Sequence, residues 1–355
     1  MKKPRISQPP TDSRWLQNRE LRTENRKLKT INWGIIGPGR IAHKFAQGIA
    51  SLPDAKLYAV ASRSEERAHN FARQYGAPYY YEGYEKMVQN PEIDIIYIST
   101  PHTFHYENTL MCLENNIPVL CEKPFTITRE QLQILIDTAR KRKIFLMEAI
   151  WTRFLPTIKK VIEIKESGEL GSINAIYADF GFKAPVDYNG RLYNLNLGGG
   201  ALLDIGIYPV FLSLLLLGKP EEIKSMAVIS ETGADESCSI LFKYNCGLMA
   251  SLNCTITAET PIEAVIIFEK GRIRINRGWF APSSLTIFSS KEKKKEVTFN
   301  YHGNGYHLEA IEAMKCLKKG LTECPELPLD FSLDLMGLLD EIRRQCGIEY
   351  PGIDR

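Results

Sequence analysis

Five short apolar runs alternate with helical stretches between Asn32 and Ala149, and this alternation restricts the fold more than any other feature of the chain. The runs are continuous and bounded by glycine, proline or charged residues, which is typical of strands buried on both faces. They are Trp33–Ile36, Leu57–Ala61, Ile95–Ser99, Val119–Cys121 and Phe145–Met147. The helical stretches lie near 41–51, 65–75, 84–89, 103–116 and 129–142. Because strands and helices alternate, the sequence predicts an α/β domain with a doubly wound parallel sheet over residues 31–150.

The second part of the chain, residues 151–355, has a different pattern. One helical stretch near 155–167 precedes a series of alternating strand-like runs, and two helical stretches near 305–319 and 332–345 end the chain. The strand-like runs lie at 173–182, 223–230, 237–244, 247–256, 262–269, 272–276, 284–289 and 296–301. Runs separated by Gly, Asn or charged turn residues predict a large, mostly antiparallel open sheet in an α+β domain. A length of 355 residues fits two domains.

Residues 1–30 form a polar, basic arm that stands apart from the rest of the chain. The arm has nine Lys or Arg against three acidic residues, a charge of +6, which leaves −3 on the other 325 residues. A nucleic-acid-binding protein would need its basic surface on the folded body, so this distribution argues against DNA or RNA as a partner. The arm also lacks the apolar core and the cleavage site of a secretory signal.

Membrane insertion and disulfide formation are also disfavoured. The longest clearly apolar stretch, Val210–Leu217, is too short to cross a bilayer. The eight cysteines are scattered and form no CxxC pair, which favours a reduced, cytoplasmic protein. The six histidines show no HExxH or Cys/His ligand spacing, so we expect no metal.

A glycine-rich turn, Gly37-Pro38-Gly39-Arg40-Ile41-Ala42, directly follows the first apolar run and begins a helix. Gly37 permits the tight turn, Gly39 lets the backbone approach a pyrophosphate, and Ala42 allows close packing of helix on strand. A structural turn without a ligand is the alternative, but the strand–turn–helix context favours a dinucleotide. The turn therefore predicts a Rossmann domain that binds a nicotinamide cofactor.

The end of the second strand indicates which nicotinamide cofactor is used. An acidic residue there would hold the ribose 2′-hydroxyl of NAD, whereas this chain has Ser62 and Arg63, followed by Arg67. A hydroxyl and two guanidinium groups bind a 2′-phosphate by charge-assisted hydrogen bonds. The sequence thus favours NADP over NAD. In the alternative interpretation the two arginines are solvated, and Ser64 caps the helix.

A lysine follows the fourth apolar run, in the sequence Glu122-Lys123-Pro124. Ligands of open α/β sheets bind at the carboxyl ends of the strands, so Lys123 is predicted to point toward the nicotinamide. A positive charge there stabilises an alkoxide and favours deprotonation of a neighbouring acid. An ordinary surface lysine is the alternative.

A second cluster of polar side chains lies in the stretch Gly198–Pro209, which reads GGGALLDIGIYP. Asp204 and Tyr208 are four residues apart and share a helical face. A free tyrosine has a pKa of about 10. To act as an acid/base it therefore needs a neighbouring cation, for which Lys123 is the candidate. Equally, Tyr208 could pack in the core while Asp204 caps the helix.

Four ordered motifs resemble the glucose-fructose oxidoreductase / inositol dehydrogenase / rhizopine catabolism (Gfo/Idh/MocA) family over residues 31–350. They are the Gly37–Ala42 turn, Thr100-Pro101 with His105 four residues later, Glu122–Pro124 and Gly198–Pro209. The stretch Phe145–Pro156 and a tyrosine at 208 resemble the branch with dimeric dihydrodiol dehydrogenases and NADP-dependent D-xylose dehydrogenases. His102 departs from the asparagine common after Thr-Pro.

The resemblance implies roles for particular residues. Lys123 and Tyr208 would be catalytic, supported by the Asp204 carboxylate, while Arg63 and Arg67 would bind the 2′-phosphate. It also implies a homodimer through the open face of the second sheet. The remaining cofactor candidates lie in or beside the motifs: Gly37, Gly39, Arg40, Ile41, Ala42, Ser62, Thr100, Pro101, His102, His105 and Glu122.

The expected activity is oxidation of a hydroxyl carbon of a sugar or cyclic polyol. Tyr208 would take the hydroxyl proton, and Lys123 would stabilise the oxyanion. We expect Trp151, Arg153 and Phe182 on the substrate side, with interdomain packing as the alternative for each. Two further functions remain open: an aldose oxidoreductase with tightly held NADP, and a non-catalytic NADP or sugar sensor.

Overall fold

The computed structural model describes residues 30–245, 247–289 and 293–354. The basic arm predicted at 1–30 lies outside this range except for Thr30. The described chain divides into two compact units. The first comprises the described part of residues 1–125 with Glu130–Ile150 and Gly303–Leu329, and the second comprises Thr126–Arg129, Trp151–His302 and the chain from Asp330 onward.

The first unit contains a six-stranded parallel sheet in the order β3-β2-β1-β4-β5-β6. Its strands are β1 (Ile31–Ile36), β2 (Ala55–Ser62), β3 (Tyr79–Glu82), β4 (Ile95–Ile98), β5 (Val119–Glu122) and β6 (Leu146–Ala149). The helices between them are α1 (Arg40–Ile49), α2 (Glu65–Tyr75), α3 (Glu85–Val88), α4 (His105–Glu114) and α5 (Arg129–Arg142). The predicted doubly wound sheet is confirmed. Strand β3 was not predicted, because it is a half-buried edge strand of three tyrosines and a glutamate rather than a continuous apolar run.

Aromatic packing fixes α1 against the sheet of the first unit. Trp33 on β1 meets the Phe45 ring edge-on at 5.0 Å, and Phe45 stacks on Tyr97 of β4 at 3.7 Å. All three side chains are completely buried. Burial of each aromatic ring contributes on the order of 2–3 kcal/mol. The glycine-rich turn is therefore held between a rigid strand and a rigid helix.

The second unit contains an eight-stranded sheet in the order β14-β13-β12-β11-β7-β10-β9-β8. Its strands are β7 (Ile173–Gly181), β8 (Glu222–Ile229), β9 (Asp235–Lys243), β10 (Met249–Thr255), β11 (Ala264–Phe268), β12 (Gly271–Ile275), β13 (Leu285–Ser289) and β14 (Lys295–Val297). Neighbouring strands are antiparallel except β7 and β10, which are parallel. The mostly antiparallel sheet is thus confirmed.

Helices α6 (Pro156–Ser167) and α7 (Ile207–Leu217) also lie in the second unit. The apolar stretch Leu195–Leu217 has the length and composition of a membrane span, but 89% of its most apolar window is buried inside the protein. Such burial is typical of a core helix, and α7 accordingly packs against β7 and β10.

The two last helices, α8 (Tyr306–Lys318) and α9 (Leu329–Cys346), lie in different units. The sequence places both in the second domain, whereas in the structure residues 303–329 pack with the first unit. Helix α8 lies against α1, and the Asn304 side chain donates a hydrogen bond of 2.7 Å to the Lys44 carbonyl. The returning segment also extends the packing of β6, since Leu146 N donates to the Thr322 carbonyl at 3.1 Å. A helix that returns to an earlier domain leaves no local signal in the sequence.

Candidate active site

In the first unit, the carboxyl ends of four strands lie side by side at one edge of the parallel sheet. Ile36 of β1 lies between Ala61 of β2 and Ile98 of β4, and Ile98 lies next to Cys121 of β5. The residues that follow these positions are the predicted cofactor segments. The strand order reverses between β1 and β4, which is the topological switch point where open α/β sheets bind ligands.

The glycine-rich turn has the conformation that a pyrophosphate site needs. Gly37 has φ +85°, and a Cβ there would meet Thr100 at 2.9 Å. A Cβ on Gly39, in contrast, would approach no atom of the described protein closer than 3.9 Å. The protein itself does not require glycine at 39, so the open space fits a ligand that approaches the backbone. Gly39 precedes α1, whose first turn has no acidic residue to compete with an anion at the helix N-terminus. These features fit a dinucleotide.

The end of β2 carries the residues predicted to bind the 2′-phosphate. Ser62 is buried and its Oγ accepts a hydrogen bond from Ser64 N at 3.2 Å. Arg63 and Arg67 are exposed, and the Arg63 guanidinium lies 5.4 Å from the centre of the Phe104 ring. Ser64 caps α2 by accepting from Arg67 N at 3.4 Å. The cap of the alternative interpretation is thus present, and it leaves both guanidinium groups facing solvent.

Both arginines also lie near a phenol of the first unit. Burial raises the pKa of Tyr84, while the charges of Arg63 and Arg67 act to lower it. The two guanidinium groups therefore act on one region of the surface, where they would attract an anion together.

His105 connects two of the predicted motifs. Its Nδ1 lies 2.8 Å from the Pro124 carbonyl, and its Nε2 lies 2.9 Å from the Thr100 carbonyl. The ring is completely buried, so His105, which was predicted as a cofactor residue, offers no surface to a ligand and instead connects the two motifs. Burial lowers the pKa of His105 to about 4, against the contacts with the Pro124 and Thr100 carbonyl groups, which act to raise it, and the Lys123 charge adds to the lowering.

The other residues of the Thr-Pro motif surround this ring. Asn108 Nδ2 donates to the Thr100 hydroxyl at 3.2 Å, which fixes the side chain next to Gly37. Pro101 and His102 are half-buried, and the His102 ring lies 5.7 Å from that of His105. His102 is therefore the more exposed histidine of the pair.

The Glu122 carboxylate forms a hydrogen bond with the backbone of Lys123. One oxygen accepts a short hydrogen bond from the Tyr97 hydroxyl, and the other accepts from Lys123 N at 3.2 Å. Glu122 is buried and its oxygens bind protein groups, so it positions Lys123. Lys123 itself is half-buried.

Another carboxyl group, that of Glu309 in α8, lies near Glu122. Glu309 is completely buried, and within the described residues neither of its oxygens has a hydrogen-bond partner. Burial, followed by the charge of Glu122, raises the pKa of Glu309 well above its usual range, which favours the protonated form. The sequence did not reveal Glu309, because α8 returns to this unit from far along the chain.

In the second unit, Tyr208 lies within a group of aromatic side chains. Its hydroxyl accepts a hydrogen bond of 3.3 Å from the indole N–H of Trp151. The Tyr208 ring lies 5.7 Å from that of Phe180 and 5.2 Å from that of Phe280, and these two phenylalanines stack at 4.0 Å. Tyr208 is buried with 6% of its surface exposed. We call Trp151, Phe180, Tyr208 and Phe280 the aromatic cluster.

The remaining substrate candidates border the aromatic cluster. The Phe182 ring lies 6.3 Å from that of Phe180 and is half-buried. Arg153 is half-buried in the 3₁₀ turn Trp151–Phe154. Phe180 and Phe280 were not predicted; Phe180 of β7 lies two residues before Phe182, and this spacing was the available signal.

Asp204 forms a bidentate ion pair that the sequence did not predict. Arg191 Nη1 and Nη2 donate to its two carboxylate oxygens at 2.9 and 3.0 Å. Asp204 is buried, whereas half of the Arg191 side chain is exposed. Asp204 lies in the π-helical turn Leu202–Gly206 that leads into α7, and π turns are frequent at functional sites. Arg191 belongs to a loop without any motif, so no pattern pointed to it.

The glycines before this turn approach protein groups. Gly200 has φ +131°, and a Cβ there would come within 2.1 Å of Asp235 Oδ1. Asp235 Oδ2 accepts from Leu202 N at 2.7 Å, and the Tyr350 hydroxyl donates to the Gly199 carbonyl at 2.9 Å. The glycine run thus lets Asp235 and Tyr350 approach the backbone closely and hold the start of the π turn.

Comparison with known proteins covers both units. The Gfo/Idh/MocA model described as an oxidoreductase family with an NAD-binding Rossmann fold matches residues 31–149. The model of the Gfo/Idh/MocA C-terminal domain matches residues 158–274.

Individual proteins match over most of the chain. Trans-1,2-dihydrobenzene-1,2-diol dehydrogenase of Xenopus tropicalis is 38% identical over 333 residues, which cover 90% of this chain and 99% of that protein. The mouse (Mus musculus) enzyme of the same name is 35% identical over 331 residues, with coverage of 90% and 98%. Among solved structures, a 3-ketoreductase from Actinomadura kijaniata, in complex with NADP and TDP-benzene, has a TM-score of 0.80 at 26% identity. The match covers 89% of this chain and 98% of that one.

Proposed function

The chain belongs to the Gfo/Idh/MocA family of oxidoreductases, and from this premise we propose that it is an NADP-dependent dehydrogenase of cyclic diols or sugars. As a member of this family it is an oxidoreductase that uses a nicotinamide dinucleotide. The substrate proposal rests on the diol dehydrogenases and the NADP-bound ketoreductase that it resembles. The reaction converts a CH–OH group into a carbonyl group, or the reverse.

One observation carries this proposal: the Tyr208 hydroxyl lies within an aromatic cluster and accepts a hydrogen bond from Trp151. An indole N–H can only donate, so the Tyr208 oxygen is the acceptor and its proton points elsewhere. This bond stabilises negative charge on the oxygen. Rings of Phe180 and Phe280 exclude water from the phenol and offer an apolar wall to a ring-shaped substrate.

The residues of this chain have separate tasks in the proposed reaction. Tyr208 removes the proton of the substrate hydroxyl on oxidation and returns it to the carbonyl oxygen on reduction. The Lys123 ammonium stabilises the negative charge that develops on that oxygen. Glu122 and His105 hold the backbone on either side of Lys123. NADP, when bound, supplies the hydride acceptor or donor.

Asp204 supports the reaction indirectly. Each of its carboxylate oxygens accepts a hydrogen bond from Arg191, and an ion pair of this kind disfavours protonation of the carboxylate, so we assign the general base to Tyr208 and not to Asp204. The ion pair fixes the π turn one helical turn before Tyr208 and thereby orients the phenol. Trp151, Arg153 and Phe182 are proposed to contact the substrate, with Arg153 as the polar residue among them.

NADP is proposed as the preferred cofactor. Exposed Arg63 and Arg67 lie at the end of β2, where a carboxylate would be needed for NAD. The Gly37–Ala42 turn and the N-terminus of α1 would hold the pyrophosphate.

We also propose a homodimer through the open face of the second sheet. Five large apolar side chains are exposed on one face of four adjacent strands: Tyr177, Met226, Val228, Leu241 and Met249. Contiguous exposed apolar surface of this kind marks an interface. Met226→Arg should convert the dimer into a monomer in a mass measurement in solution, and Ile134→Arg, an exposed apolar position on α5, should not.

A substrate screen tests the proposed function. The purified protein with NADP is offered trans-dihydrodiols, pentoses, hexoses and inositols, and NADPH absorbance is followed. The proposal expects turnover with a cyclic diol or sugar and a preference for NADP over NAD. If the protein retains NADP through purification and transfers hydride only between two aldoses, it is an aldose oxidoreductase instead. Binding of NADP without turnover of any alcohol would favour the sensor.

A further inference from the structure

Three potential metal ligands meet in the first unit. Glu312 and Cys316 are four residues apart on α8, and Cys324 lies in the chain that follows the helix. One carboxylate oxygen and the two sulfur atoms all lie within 4.8 Å of one another. We call Glu312, Cys316 and Cys324 the Cys₂Glu cluster.

The surroundings of the Cys₂Glu cluster suit a metal. Cys316 and Cys324 are buried, and Glu312 is half-buried, with its Oε2 accepting a hydrogen bond from Lys315 Nζ at 3.1 Å. The Cys316 and Cys324 sulfur atoms lie close to each other, and cysteines bind metals as thiolates.

The fold brings these ligands together independently of any ion. Leu321 N donates to the Cys316 carbonyl at 3.0 Å, and Leu327 N donates to the Cys324 carbonyl at 3.1 Å. The first turn reverses the chain after α8 and leads to Cys324, whose sulfur lies within 4.8 Å of that of Cys316, and the second turn fixes the backbone that follows Cys324. Between these turns, Thr322 accepts from Leu146 of β6. A bond across the cluster would tie the returning segment and the edge of the parallel sheet together.

We propose that the Cys₂Glu cluster is a binding site for Zn²⁺. Two thiolates and one carboxylate suit a borderline-soft divalent ion, and three protein ligands leave the fourth tetrahedral position for water at the Glu312 side. Each cysteine loses its proton to solvent when its sulfur binds the ion, so binding weakens as the pH falls. The site takes no part in the proposed hydride transfer.

The experiment uses the full chain, stripped with a chelator and kept in a non-thiol reductant. Zinc binding is measured by calorimetry, and Co²⁺ is added as a spectroscopic substitute. The proposal expects one equivalent of Zn²⁺, a rise in melting temperature, and the thiolate-to-cobalt charge-transfer and visible bands of a tetrahedral sulfur site.

Matched variants make the test specific. Glu312→Gln changes a half-buried surface position and should weaken zinc binding more than the roughly 10–100-fold that outer-shell changes cause. Cys324→Ser should remove the cobalt charge-transfer band. Glu323→Gln and Cys112→Ser, a neighbouring carboxylate and a buried cysteine of α4, should leave both signals intact. The proposal is overturned if no stoichiometric zinc binds, if Glu312→Gln binds as tightly as the wild type, or if Cys316 and Cys324 are isolated as a disulfide under these conditions.

Discussion

The indole N–H of Trp151 donates a hydrogen bond of 3.3 Å to the hydroxyl of Tyr208, and Phe280 packs against both rings. This bond fixes the phenol oxygen as an acceptor on one side, so its proton is available to another group. The pairing depends on the second unit alone, since both residues belong to it. It links the Phe145–Pro156 stretch to the Gly198–Pro209 stretch.

Replacing Trp151 with Phe tests the task of this bond. The ring remains in the aromatic cluster, but the Tyr208 oxygen loses its donor. A hydrogen bond contributes about 0.5–1.5 kcal/mol, so we expect kcat to fall by up to about tenfold with little change in NADP affinity. Steady-state kinetics and cofactor titration measure both quantities. An unchanged kcat would show that the bond does not assist proton transfer.

Arg63 is predicted to distinguish the two nicotinamide cofactors. In Arg63→Ala the 2′-phosphate loses a charge-assisted hydrogen bond of about 1.5–3 kcal/mol, so NADP should bind at least about tenfold more weakly while NAD is unaffected. Arg73→Ala, at the last turn of α2, is the matched control. Fluorescence titration with both cofactors gives the affinities. An unchanged ratio of NADP to NAD affinity would remove the argument for Arg63.

Removal of the Arg191 side chain should loosen the π turn. In Arg191→Ala the buried Asp204 carboxylate loses both donors, although water can partly replace a partner whose side chain is 51% exposed. We therefore expect a loss of about 1–3 kcal/mol in unfolding free energy, below the cost of a fully buried pair. Activity should fall with it, and Arg191→Lys should restore part of both. Equal stability of Arg191→Ala and the wild type in urea unfolding would contradict this account of the ion pair.

Asp235 should make the stability of the protein depend on pH. Burial raises the pKa of Asp235 to about 6, so the folded protein holds this proton more tightly than the unfolded chain does. The resulting stabilisation is fully present below the unfolded pKa, about 3.9, and is lost as the pH rises through about 6. Asp235→Asn has no proton to lose, so its stability relative to the wild type should rise by about 2–3 kcal/mol between pH 4 and 8. Parallel curves of unfolding free energy against pH for the two proteins would refute the prediction.

The sequence predicted the sheets because burial leaves a regular pattern along each strand. Continuous apolar runs marked β1 and β4, which are buried on both faces, and alternation marked β9 and β10. The edge strand β3 and the return of α8 escaped detection, because neither packing is encoded in neighbouring residues.

Motifs predicted the backbone of the candidate site better than its side-chain partners. Gly37 and Asp204 were identified from spacing, whereas Arg191 and Glu309 were not, since each meets its neighbours through tertiary structure only. His105 was assigned to a motif from its spacing to Thr100-Pro101, but its buried position between two carbonyl groups depends on contacts that spacing cannot show.

The central claim, that Tyr208 exchanges the proton during hydride transfer, is tested most directly by single-turnover kinetics. NADPH formation is followed with the alcohol that the screen identifies, for the wild type, Tyr208→Phe and Tyr244→Phe, the last removing a buried phenol bonded to Ser213. We predict that Tyr208→Phe slows the step by at least about 10²-fold and still binds NADP, while Tyr244→Phe reacts at the wild-type rate. A near-normal rate in Tyr208→Phe would contradict the account.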